Sequence, residues 1–208
     1  MFTVLVANIK GGCGKTTIAT HLAAAFATSG HHTLLADVDR QKSSLGWIER
    51  RPTDAASLTG LDWTKELASP PKGPGRLVID APAALKTKQI EELVKLADVI
   101  VLPVLPSAFD EQATRRFLDK LEELKPIAKN KKDVLVIGNR LRARTKSADR
   151  LDEFLEGIGH KVVTRIRDTQ LYPDTAATGL SLFDLKGKRI GEFRADWDPL
   201  LSFMAAAD

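Results

Sequence analysis

Between Lys10 and Thr17 the chain reads Lys-Gly-Gly-Cys-Gly-Lys-Thr-Thr, directly after the apolar run Phe2–Ala7. Residues of these types at this spacing suit the holding of a polyphosphate. Phosphate oxygens need several N–H donors converging on them, which requires a backbone that turns tightly and approaches closely, and Gly11, Gly12 and Gly14 permit both. Beyond the loop, Thr16–Phe26 carries apolar residues at helical spacing, so the anion would sit on a helix N-terminus, where free N–H groups and the dipole favour negative charge. Lys15 would reach the β/γ-phosphates of a nucleotide and Thr16 would ligate Mg²⁺, with Thr17 completing the turn and Cys13 a small spacer at the variable position. The ordinary box, G-x-x-x-x-G-K-[ST], is not met: its first glycine position is Ile9, followed by Lys10.

The elements that must position this loop follow from the apolar pattern. Runs rich in β-branched residues recur at Phe2–Ala7, Thr33–Ala36, Leu77–Ile79, Val99–Val104, Val134–Ile137 and Lys161–Ile166. Helical periodicity predicts helices over Lys15–Ser29, Ser43–Arg51, Lys86–Lys95, Phe109–Leu124, Lys146–Ile158 and Gly191–Ala206. Strands alternating with helices predict an α/β fold, a mainly parallel twisted sheet with helices on both faces. Residues 1–208 read as a single domain, and the turn-rich Ser69–Gly75 as a connector inside it. Lys125–Lys132 reads as a basic loop.

In open α/β sheets the ligand lies outside the carboxyl ends of the strands, so those ends should carry the remaining chemistry. The second run closes on Asp37-Val-Asp39-Arg-Gln-Lys-Ser43, and the third on Asp80-Ala-Pro82. Carboxylates there suit a hard cation that keeps several of its waters.

Taken together, K-G-G-x-G-K-[ST]-[ST], the D-x-D-x-Q-x-S segment and the strand ending at Asp80 resemble the ParA/MinD family of deviant-Walker P-loop ATPases. The likeness runs from Met1 to about Ala207. It implies that ATP holds two subunits face to face, with Lys10 crossing to the partner's nucleotide. It also implies that Asp39 organises the hydrolytic water and the Mg²⁺ shell with support from Asp37, and that Asp80 holds Mg²⁺ through water. Lys10, Lys15 and Asp39 would be the catalytic groups, and Thr16, Asp39 and Asp80 the groups around Mg²⁺. In the likeness Val134–Arg140 ends beside the adenine, where Asn139 would offer a donor and an acceptor to the base edge and Arg140 would adjoin it. The segment Ile166–Phe183 would begin by folding over the base. Relatives often place an arginine near Thr169; this chain does not, which leaves Arg167 and Asp168 as the substitutes.

Charge points to a second surface. The net charge is +4, yet residues 125–194 hold 16 Lys/Arg against 9 Asp/Glu, so the basic excess belongs to the C-terminal third. Such asymmetry suits a polyanion, most simply nucleic acid. The resemblance to short ParA-like proteins implies an ATP-bound homodimer that binds nonspecific DNA. Lys131, Lys132, Arg142, Arg144, Lys146, Lys186, Lys188 and Arg189 are the expected contacts. It further implies a cargo adaptor or ParB-like protein that stimulates hydrolysis, and a cytoplasmic, nucleoid-associated protein without an N-terminal helix-turn-helix domain.

A MinD-like membrane positioner would need basic residues beside the apolar face of a C-terminal helix. Asp196, Asp198 and Asp208 oppose that, and Trp197, Leu200, Leu201 and Met204 read as a buried face. One cysteine allows neither an internal disulfide nor the cluster of a nitrogenase-type iron protein. No metalloid or membrane-client element of an arsenite-pump ATPase is present; an accessory DNA-transfer ATPase remains an alternative. Trp47 and Trp63 read as core, and His31 and His32 as a turn.

Overall fold

The computed structural model describes residues 1–129 and 131–207. Its centre is a seven-stranded sheet in which every pairing is parallel, so the mainly parallel expectation is met in full. The strands are β1 (Phe2–Val6), β2 (Thr33–Asp37), β3 (Thr59–Asp62), β4 (Arg76–Asp80), β5 (Val99–Val104), β6 (Asp133–Leu141) and β7 (Lys161–Arg167), in the order β3-β2-β4-β1-β5-β6-β7. β1, β2, β4 and β5 are buried along their whole length, as continuous apolar runs covered on both faces must be.

Helices α1 (Lys15–Thr28), α2 (Ser43–Glu49), α7 (Leu171–Ala177), α8 (Lys188–Arg194) and α9 (Asp198–Ala206) accompany one face. Helices α3 (Thr87–Leu96), α4 (Ala108–Glu122), the short α5 (Lys125–Ala128) and α6 (Lys146–Glu156) cover the other. Alanine-rich α1 is buried nearly all round, and its small side chains let it lie close across the sheet. α3 and α6 keep one apolar stripe, Ile90, Leu93 and Val94 on the first and Ala148, Leu151 and Leu155 on the second. Thr145 caps α6 by accepting the Ala148 N–H at 3.3 Å.

Three features depart from the sequence reading. β3 was not expected, because Thr-Gly-Leu-Asp has no apolar run; it is a short edge strand, and Gly60 is needed where a Cβ would meet Leu45 of α2 at 2.8 Å. The basic loop contains α5, opened by Pro126 in its first turn. Gly191–Ala206 is not one helix, since Pro199 lacks the N–H that a continuous helix requires; a 3₁₀ turn at Ala195–Trp197 intervenes and drives Trp197 fully into the core. Trp47 and Trp63 are buried as expected, as are Leu200 and Met204, with Leu201 partly so. Asp208, counted against membrane binding above, and Asn130 of the basic loop lie outside the described residues.

Candidate functional site

Register does the first part of the positioning. Val6 of β1 and Asp37 of β2 both pair with Asp80 of β4, so the phosphate loop and the two aspartate-bearing strands end at one level. A cavity of about 700 Å³ opens at that edge, lined at one end by Gly11, Gly12, Gly14, Lys15, Thr16 and Thr17 with Asp39. Its other end is formed by Asn139, Arg140 and Arg142 with Asp168, Thr169, Gln170, Tyr172 and Pro173. That size suits a nucleotide.

The loop is held from behind. Asn8 Oδ1 accepts the Lys10 N–H at 3.1 Å, while its Nδ2 donates to Pro103 O and Thr114 Oγ1. Gly14 precedes α1 with φ 93°, and a Cβ there would stand 2.3 Å from Asn139 Nδ2. Two independent constraints therefore require glycine at this position. Lys15, Thr16 and Thr17 at the start of α1 line the cavity and no side chain caps the helix there, so its N-terminus suits an anion. Lys15 is buried and folded into the loop, its Nζ donating to Lys10 O at 2.9 Å. The Lys10 side chain is only partly buried and makes no hydrogen bond or ion pair among the described residues. Cys13 is fully buried, and burial raises its thiol pKa against the opposing pull of Lys15, so the spacer reading fits.

The three aspartates divide their work. Asp37 Oδ2 accepts from Ser44 N, Ser44 Oγ and Leu45 N, which caps the start of α2, and Oδ1 accepts the Asp39 N–H at 2.9 Å. That bond fixes the backbone at Asp39, whose residue lines the cavity wall. Asp80 is 1% exposed, and neither of its oxygens closes a hydrogen bond. Burial pushes its carboxyl up to about 7, against the Thr16 hydroxyl nearby and with a further rise from Asp37. A buried carboxylate left in this state beside Thr16 fits a cation that would take up its charge. The residues present therefore fit Mg²⁺.

The base end departs from the expectations. Asn139 is 2% exposed, and its Nδ2 donates to Cys13 O at 2.8 Å while its Oδ1 accepts the Arg140 N–H. Its amide braces the phosphate loop and still lines the cavity. Arg167 turns away from the cavity: its N and Nε donate to Asp196, its Nη2 to Glu192 O, and its guanidinium lies 4.7 Å from the Phe193 ring centre. It is a strut to α8 and the 3₁₀ turn and leaves the base-contact set. Asp168 does line the cavity. Burial would raise its carboxyl, but Arg142 Nε at 2.8 Å and Arg140 Nε at 3.4 Å outweigh that and hold it below the usual range. Thr169, Gln170, Tyr172 and Pro173 complete this wall. The sequence flagged their segment but gave no periodicity from which to choose among them.

The expected DNA contacts also divide. Lys132 is withdrawn, because its Nζ donates to Val94 O, Lys95 O and Ala97 O at 2.8, 2.8 and 2.5 Å and so closes the C-terminus of α3. Arg142 is exposed but tied to Asp168. Lys131, Arg144, Lys146, Lys186, Lys188 and Arg189 are exposed and form no ion pair among the described residues.

The model of the CobQ/CobB/MinD/ParA nucleotide-binding domain matches residues 4–182. The chain belongs to that family. A maintenance of carboxysome distribution protein A from Gloeobacter kilaueensis is 31% identical over 206 residues, 93% of this chain and 89% of the relative. Its namesake from Halothiobacillus neapolitanus is 29% identical over 191 residues, 88% of each chain. A McdA variant from Cyanothece, solved in complex with ATP, superposes with a TM-score of 0.74 at 18% identity, over 96% of both chains. The fold is thus that of the ParA/MinD P-loop NTPases. Among the described residues no helix is long and apolar enough to cross a membrane.

Proposed function

We propose that this chain is an ATP-driven positioning switch: ATP joins two copies, the dimer binds DNA without regard to sequence, and hydrolysis, stimulated by a partner protein, releases it. The observation that carries the reading is the phosphate loop with two lysines, Lys15 folded inward and the Lys10 side chain without a partner among the described residues, beside Asp39 at the cavity wall and the strand end at Asp80. Lys10 is then free to serve the nucleotide of a second copy. Phe109, 78% exposed in the first turn of α4, suits an apolar contact between such copies.

Thr16 and Asp80, with Asp39 at the wall, would hold Mg²⁺, which would supply positive charge to offset that of the β/γ-phosphates. Loop N–H groups and Lys15 stabilise negative charge on the transferred group, and Asp39 orients the attacking water. Turnover in one subunit alone is slow, because Lys10 acts across the dimer.

The polyanion surface draws on cations that form no ion pair among the described residues, with Lys186, Lys188 and Arg189 about the start of α8 and Arg144 and Lys146 at the start of α6. Phosphate contacts set affinity without sequence preference. In this reading the ATP-bound dimer works on the nucleoid in the cytoplasm. Both curated relatives named above are proteins for carboxysome distribution, which favours a large protein assembly as the cargo over a plasmid or chromosome locus. The C-terminal segment gives a membrane-bound alternative no support, since Trp197 of the 3₁₀ turn and Leu200 and Met204 of α9 are fully buried.

The test is binding to random-sequence duplex DNA across a salt series with ATP, ADP or no nucleotide, using Asp39→Ala to suppress turnover. The expected result is tight, salt-sensitive binding with ATP only. Dimers that ignore DNA in every nucleotide state would overturn the DNA surface.

A further inference from the structure

Below the nucleotide cavity lies a buried imidazole that hydrolysis does not use. His21, on α1, is 1% exposed. Its Nδ1 stands 2.9 Å from Thr17 O, and the Leu182 N–H approaches its Nε2 at 3.3 Å. A backbone amide can only donate, so Nε2 is the acceptor and the ring proton resides on Nδ1, directed at Thr17 O. Thr17 O thereby selects the tautomer that can receive Leu182. Burial lowers the imidazole pKa to about 4, so the neutral ring persists near neutral pH.

The same ring organises an aromatic cluster. It stacks on Trp197 with centres 5.3 Å apart and planes 15° apart, and meets Tyr172 edge-on at 5.0 Å. Trp197 Nε1 donates to the Tyr172 hydroxyl at 3.1 Å. Thr17 lines the phosphate end of the cavity and Tyr172 the opposite end. One side chain therefore touches elements from both walls.

We propose that His21 is a positioning residue that locks the base-side segment Leu171–Phe183 onto the phosphate-binding helix, so that nucleotide meets a cavity whose two walls are already in register. The proposal rests on the nucleotide-binding reading above. Ordering a wall before the ligand arrives removes that ordering from the cost of binding, so the gain appears as affinity for ligands that span both walls. A ligand confined to the phosphate loop gains nothing from it.

That difference supplies the test. Affinities of the whole protein for a non-hydrolysable ATP analogue and for inorganic tripolyphosphate, each with Mg²⁺, are measured by calorimetry for the wild type, His21→Phe and His21→Gln. Phe keeps a ring and loses both hydrogen bonds, whereas Gln can place an oxygen near the Nε2 position to accept Leu182 N–H. The analogue should bind His21→Phe on the order of tenfold more weakly, with tripolyphosphate unchanged, and His21→Gln should recover most of the loss. An unchanged analogue affinity in His21→Phe, an equal loss for both ligands, or no recovery in His21→Gln overturns the positioning role. If His21→Phe does not fold, His21→Leu, which also loses both hydrogen bonds, takes its place beside His21→Gln under the same criteria. A wild type that binds neither ligand removes the nucleotide reading itself, which is a different failure.

Discussion

The phosphate end and the base end of one cavity are built by different means, the first mostly from backbone and strand register, the second from side chains that answer to distant neighbours. At the phosphate end, loop N–H groups, a glycine at φ 93° and three strand ends set level by pairing do the work. At the base end, Asp168 depends on Arg140 and Arg142, while Arg167 is claimed by Asp196, 29 residues further along. Sites made from backbone leave their mark in the spacing of glycines and apolar runs. Sites made from side chains are settled only when the chain folds.

The contrast is tested most severely by pairing one substitution at each end. Lys15→Ala should weaken nucleotide binding about a hundredfold, the scale of losing charge-assisted bonds to phosphate, whereas Gln170→Ala should cost about threefold. Calorimetry with a non-hydrolysable analogue reads both. A larger loss from Gln170→Ala would mean that the base end dominates and would break the comparison.

How far the sequence could be read follows the same division. β1, β2, β4 and β5 were legible because burial on both faces leaves near-continuous apolar runs, and α1 because its alanines and the preceding glycines announce both its start and its setting. β3 was not, since an edge strand pairs through backbone groups that its side chains do not advertise. Asp37, Asp39 and Asp80 could be found at strand ends. The commitment of Asn139 to Cys13 O could not, because 126 residues separate the partners. His21 gave no signal, lying among helix formers with its partners in segments far along the chain.

The next effect concerns stability. His21 titrates at about 4 in the folded protein against 6.5 as its ordinary value, so the unfolded chain binds more protons between these limits. Stability is therefore complete above pH 6.5 and falls as the pH drops towards 4, by about 3 kcal/mol over the whole span. Asp184, paired with Arg51, and the Tyr172 hydroxyl are the ionisable groups set against the ring, and carboxylates elsewhere also titrate in this range. The readout is hence the difference between wild type and His21→Phe in urea unfolding at pH 6.5 and pH 4.5. A difference that does not change with pH would show that the imidazole is not held neutral by its surroundings.

Within the basic third, a further contrast separates cations that face solvent from those used by the fold. Lys188→Glu with Arg189→Glu should lower DNA affinity about tenfold at moderate salt and flatten the dependence of log K on log salt by roughly 2, near 0.9 per lost phosphate contact. Filter binding of the ATP-bound Asp39→Ala protein checks this. An unaltered slope would move the surface to Arg144 and Lys146.

Lys132→Met is the smallest effect and the sharpest, because it asks what a lysine in a basic run is for. Nearby Lys131 is exposed and unpaired among the described residues, yet Lys132 places its ammonium on three carbonyls at the end of α3. Cations at a helix C-terminus complement both the dipole and the unmet carbonyl oxygens, so the substitution should destabilise the fold by about 1 kcal/mol. Methionine retains much of the stem's apolar packing, which isolates the charge as the quantity removed. DNA affinity and its salt slope should be unchanged, since an ammonium already surrounded by carbonyls has little left to offer a phosphate. A lower salt slope with no loss of stability would reverse the assignment and return Lys132 to the polyanion surface.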